Sequence, residues 1–204
     1  MAGQLAFTDA TPTALTRGCF VRRTDTPLGL KQSFAAESDR METRYRPRPE
    51  HAGFRQTVHG GLTSTVLDEA MVWACGAATG RLAYCAELTV RFRQPLQPES
   101  EYVVTARLVE NRKSRIYVAR GEVRAPAGNV MAVGEGKYVP VDDGNLTDLW
   151  EDSEQDPRPV LTELARPAQG FEFTAMPRRS RVVPSLSERS ANARLYSAMA
   201  LISS

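Results

Sequence analysis

The chain has 204 residues, 26 of them Lys or Arg and 24 Asp or Glu, for a formal charge of +2. That near balance argues against wholesale nucleic-acid binding, and no apolar run approaches the ~18 residues of a membrane span. Asp9 and several Thr in the first twenty residues speak against a secretory leader. Cys19, Cys75 and Cys85 are odd in number and lack CxxC spacing, which predicts reduced thiols in a cytoplasmic protein rather than a disulfide framework or a metal site.

In chain order, residues 1–17 read as an arm, 18–142 as a folded domain and 143–204 as a charged, Pro-containing extension. Residues 28–34 and 41–45 are strand-like, and Pro47 and Pro49 stop the second run. The clearest helix is predicted over about 61–79, opened by Gly60-Gly61 and closed by Gly80, where a left-handed cap is cheapest. Leu62, Val66, Leu67, Ala70, Met71, Val72, Trp73 and Ala74 leave almost no polar face, so the helix should be wrapped on most sides. Strands follow at about 83–94, 101–110, 115–124 and 130–140, with polar turns at 111–114 and 127–129. Joined by short turns, they predict a four-stranded antiparallel meander, and one helix on one curved sheet is an α+β architecture.

Asp68 and Glu69 are the only charged residues between Gly61 and Gly80. An ionised carboxylate buried without a partner is costly, so each should be neutralised, paired or functional. Adjacent helical residues point ~100° apart, so one should face a crevice and the other solvent or a salt bridge. His59-Gly60-Gly61 puts side-chain-free backbone at the positive end of the helix, where a carbonyl oxygen gaining charge would be stabilised; a plain tight turn with a locally packed His59 explains the same residues. Asp68 lies about 10 Å along the axis from Gly61 at ~1.5 Å rise per residue. One substrate carbonyl group is not readily touched by both from a single helix, so a site using both requires two antiparallel copies and at least a dimer.

His59-Gly60-Gly61 with Asp68 nine residues after the His resembles the HGG…D segment of hotdog-fold acyl-CoA thioesterases of the phenylacetate-pathway (PaaI-like) type. Glu87–Leu96 resembles that family's strand ending in an aromatic, a basic residue and Pro, and Cys19-Phe20-Val21 with Pro27-Leu28-Gly29-Leu30 is similar to its CF…NPxGL opening segment, with Arg22 where many members have a second Cys. The likeness spans about residues 19–141. It implies a hotdog fold, with one long buried helix wrapped by a curved antiparallel sheet, and homodimers that often pair into tetramers. It also implies hydrolysis of acyl-CoA to free acid and CoA with no separate cofactor, since CoA is part of the substrate. Asp68 would activate water or attack the carbonyl itself, the Gly61 N–H beside Gly60 would polarise the carbonyl, and His59 would orient the loop or the carbonyl. Cys85, with Glu87 two residues on, stands where the family often has a Ser or Thr that positions water, and Thr65 or Ser64 is a substitute one turn before Asp68.

Basic residues are expected near the crevice mouth for the CoA phosphates, and Arg112, Lys113, Arg115 and Arg91 are the candidates; no glycine-rich phosphate loop is present. Two other readings stand beside hydrolysis. A hotdog hydratase or dehydratase would use a His with a carboxylate, but His51 and His59 are the only histidines and neither lies on the helix with the acid. A non-catalytic acyl-CoA-binding or scaffold module would fit the charged extension but gains nothing from Asp68. No GxSxG occurs, which disfavours a serine hydrolase.

Overall fold

The apolar run after His59 forms a 20-residue helix, α1, Gly60–Thr79, ended by Gly80 in the left-handed region at φ 71°. The computed structural model describes residues 19–23, 26–37 and 39–142, which fall within one unit, Met1–Phe171. The arm at 1–17 and the extension at 143–204 lie outside the described residues. Strands β1 (Ala35–Glu37), β2 (Arg40–Tyr45), β5 (Ala83–Phe92), β6 (Tyr102–Arg112), β7 (Ile116–Arg124) and β8 (Val130–Pro140) form one antiparallel sheet in the order β1-β2-β6-β7-β8-β5. The short β3 (Ala52–Phe54) and β4 (Thr57–Val58) pair with each other ahead of the helix. Among the described residues no helix is long and apolar enough to cross a membrane.

Two expectations are corrected. The four strands after α1 are not a sequential meander: β6, β7 and β8 are, but β5 pairs with β8, and β6 pairs with β2. The reason lies in residues 93–101. Pro95 and Pro98 prevent a tight turn, and the segment crosses the end of the sheet, held by Gln94 N–H to the Met131 carbonyl at 3.1 Å and Glu99 N–H to the Pro47 carbonyl at 2.7 Å. Residues 28–34 are not a strand either. Lys31 sits at φ 56°, which breaks extended backbone. The segment instead bonds to its own start, Leu30 N–H to Phe20 and Gln32 N–H to Val21, both at 2.8 Å.

The sheet curves around α1 because small residues line its inner face under the helix. A side chain at Gly121 would meet Leu67 at 3.1 Å, and one at its cross-strand partner Gly134 would meet Met71 at 3.2 Å. These two glycines let α1 settle close to the strands, and Val66, Leu67, Ala70 and Met71 are fully buried. Segment 19–34 covers the far side with buried Val21, Leu30 and Phe34. The helix is thus wrapped on most sides, as its composition requires.

Strand β5 is the sheet edge, and residues 84–87 are exposed along it. It carries a bulge: Cys85 pairs with Tyr138 and Glu87 with Lys137, so Ala86 is one residue too many. The extra residue changes the parity of the strand. Leu88 and Val90 pack against the core after it, and Ala83 and Cys85 share that inner face before it.

Candidate functional site

The start of α1 is held by the loop before it. His51 is buried, its Nδ1 accepts from the Arg48 N–H at 3.1 Å, and its carbonyl accepts the His59 N–H at 2.8 Å. Burial, then the Arg48 charge, holds the His51 imidazole below its ordinary value, so it is neutral at physiological pH. His59 is the N-cap, and its Nδ1 accepts from the Gly61 N–H at 3.0 Å. The donor expected to face a substrate carbonyl is therefore taken by the cap in this structure. The Thr65 hydroxyl donates to the Gly61 carbonyl at 2.9 Å, and the Ser64 hydroxyl to that of Gly60 at 3.0 Å. Phe92, at the far end of β5, lies against this turn: a side chain at Gly60 would meet its ring at 3.2 Å.

Gly61, Thr65, Asp68 and Val72 form one stripe along α1 by helical spacing. Asp68 is half-buried, and its Oδ1 accepts from the Tyr138 hydroxyl at 2.9 Å. Tyr138 is fully buried, and burial, then the charge of Asp68, pushes its phenol far above the ordinary range. It is a permanent donor. Cys85 is the cross-strand neighbour of Tyr138 and faces the same carboxylate; burial, then a hydrogen bond with Asp68, pushes its thiol up to about 11. Cys75, two turns along α1, is buried and pushed up to about 12. At neutral pH all three neighbours are protonated, and Asp68 supplies the only carboxylate among them.

Glu69 looks the other way. Its Oε1 accepts from the Trp73 indole at 2.8 Å, and the Arg22 guanidinium stacks 4.4 Å from the Trp73 ring centroid. Burial raises the Glu69 carboxyl, offset in part by Trp73 and Arg22; burial lowers Arg22 to about 10 against the pull of Glu69. Arg22 thus stays charged at neutral pH and ties segment 19–34 to the helix.

The structure brings Asp68 and Cys85 together and sets His59, Gly60, Gly61 and Thr65 on the preceding turns. It separates Glu87 and Arg91. Glu87 pairs with Lys137 at 2.6 Å on the outer face of the sheet, and Arg91 shares that face because Leu88 and Val90 point inward. The bulge causes this: Cys85 and Glu87 would share a face in a regular strand, and Ala86 parts them. Arg112, Lys113 and Arg115 surround the β6–β7 turn, where Lys113 and Ser114 adopt φ of 53° and 54°, and Arg112 is paired with Glu110 at 2.9 Å. That turn lies just beyond the row Tyr117–Tyr138–Cys85 that crosses three strands, so it is at the same end of the sheet as Asp68. Sequence reasoning missed Tyr138. Its signal was Gly134 and Gly136 at alternate positions before it on the inward face, which clears room for a large side chain.

A long helix held inside a curved antiparallel sheet, with an HGG turn at its start and a carboxylate at its middle, is the hotdog arrangement. Residues 55–132 match the family model of the thioesterase superfamily, and the domain has the hotdog fold. The fold is shared with a thioesterase superfamily protein (TM-score 0.51, 23% identity, 55% of this chain and 55% of that one). It is also shared with the PaaI protein of the phenylacetic acid degradation operon of E. coli (TM-score 0.51, 19% identity, 55% and 81%) and with zebra fish thioesterase superfamily member 2 (TM-score 0.51, 16% identity, 56% and 88%). The chain spans about half the length of the first of these. No curated protein matches it.

Proposed function

We propose that the domain hydrolyses acyl-CoA thioesters to the free acid and CoA, with Asp68 as the reacting carboxylate. The observation that carries this is the geometry of Asp68: one oxygen is held by a buried phenol, and the residue is half-exposed beside an open sheet edge. An anchored carboxylate of this kind can take a proton from water or attack the thioester carbonyl. In either route the carbonyl oxygen gains negative charge. The Gly61 N–H stabilises it once the carbonyl replaces the His59 ring as acceptor.

The two groups meet only between copies. Asp68 lies by the start of β5, at Cys85, and the helix start lies by its end, at Phe92. Antiparallel pairing of two β5 edges sets the start of one strand against the end of the other. Asp68 of one copy then faces Gly61 of the second, giving a homodimer with two equivalent sites; such dimers can pair again into tetramers. The turn of Arg112, Lys113 and Arg115 stands at the same end to receive the CoA phosphates. The hydratase alternative is weaker, since His51 and His59 are both engaged by backbone N–H groups rather than directed at Asp68.

A panel of acyl-CoAs with a thiol-reactive dye tests the reading. Wild type should release CoA, and Asp68→Asn should lower kcat by about 10²–10⁴-fold, the usual range for a positioned acid or base. Tight acyl-CoA binding by wild type without turnover would instead identify a binding module.

A further inference from the structure

We infer that Tyr138 is a positioning residue for Asp68, and that Gly136 is the space its side chain occupies; the inference rests on the hydrolase reading above. Tyr138 and Gly136 are two residues apart on β8 and so share the inner face of the sheet. The Tyr138 ring folds back along the strand: a Cβ at Gly136 would fall 2.5 Å from its Cε2 and 2.6 Å from its hydroxyl oxygen. Side chain and cavity are matched, and the hydroxyl is delivered to Asp68 Oδ1 at 2.9 Å.

The consequence for Asp68 is directional. A carboxylate on a half-exposed helix face has a soft, two-fold terminal torsion. A donor on a fully buried ring, in a sheet whose two flanking strands are both paired, removes that freedom before substrate arrives. Oδ1 is committed to the phenol, and that bond fixes the direction in which the second oxygen points. The groups facing Asp68 from the packed elements are Tyr138 of β8, Cys85 of β5 and Cys75 of α1. Of these, only Tyr138 is both buried without exposure and a strong donor. It touches no reacting atom and acts through Asp68.

The test is steady-state kinetics on Tyr138→Phe and Gly136→Ala, each alone, and on Tyr138→Phe combined with Asp68→Asn. Tyr138→Phe keeps the ring and should keep the fold, with a melting temperature within a few degrees of wild type. Its kcat should fall about 10–100-fold while KM stays within about two-fold. Gly136→Ala should reproduce that loss without removing the hydroxyl, by displacing the ring. In the Asp68→Asn background, Tyr138→Phe should add less than about two-fold, because its only route is through the carboxylate. Wild-type kcat in Tyr138→Phe, or an undiminished effect in the double variant, would overturn the inference while leaving Asp68 catalytic. Absence of turnover in wild type would overturn the hydrolase reading and this inference with it.

Discussion

The two flanks of α1 carry adjacent carboxylates in opposite circumstances. On one flank Glu69 is closed in by Trp73 and Arg22, which supply a neutral donor and a charge. On the other, Asp68 meets a phenol and thiols that are all uncharged at neutral pH, beside the edge strand of the sheet. Both acids are held, but Glu69 is held beside a cation and Asp68 by uncharged donors. The difference comes from what the neighbouring segments bring: segment 19–34 brings a cation, and β5 and β8 bring donors without charge.

The sharpest way to break this contrast is to neutralise each acid in turn. Asp68→Asn should remove about 10²–10⁴-fold of kcat with little change in melting temperature, whereas Glu69→Gln should leave kcat within about three-fold; equal losses in acyl-CoA turnover would erase the distinction. Next in size is the closed flank itself. Arg22→Ala leaves the Glu69 carboxylate without its cation and uncovers the Trp73 ring, and should cost about 2–4 kcal/mol in denaturant unfolding.

The pH dependence sharpens the same point. The Glu69 carboxyl is raised by burial, so the folded chain holds its proton more tightly than the unfolded chain does. Stability from this group is present below the ordinary carboxylate value and is lost as pH rises through the folded-state value. The melting temperature of Glu69→Gln relative to wild type should therefore improve as pH climbs from about 4 to 7. The smallest effect concerns the open flank. With its thiol pushed up to about 11, Cys85 should react with iodoacetamide at pH 7.5 more than ten-fold slower than an ordinary surface thiol, and Asp68→Asn should speed it. Peptide mass spectrometry would separate Cys85 from Cys19 and Cys75.

Much of this contrast was legible in the sequence, because two carboxylates on an otherwise apolar helix must find different surroundings. The helix and its Gly80 end followed from local chemistry, as did the strands after it. The pairing order did not, since alternation fixes which residues face inward but not which strand lies alongside, and residues 93–101 carry the chain past two strands. Which acid met which partner was equally hidden. Arg22 reaches Trp73 from fifty-one positions away, and Tyr138 reaches Asp68 from seventy. The parting of Cys85 from Glu87 was hidden for a different reason: a single unpaired residue in β5 leaves no mark on composition or periodicity.

That residue, Ala86, divides β5 into two reading frames. Upstream, the odd-numbered positions look toward the helix; downstream, the even-numbered ones do. A change of length before Ala86 would scramble only the end that meets the carboxylate, and one after it only the end that packs beside the HGG turn. The strand behaves as two short modules joined by a phase shift, so the residues at one end can be changed without re-registering the other.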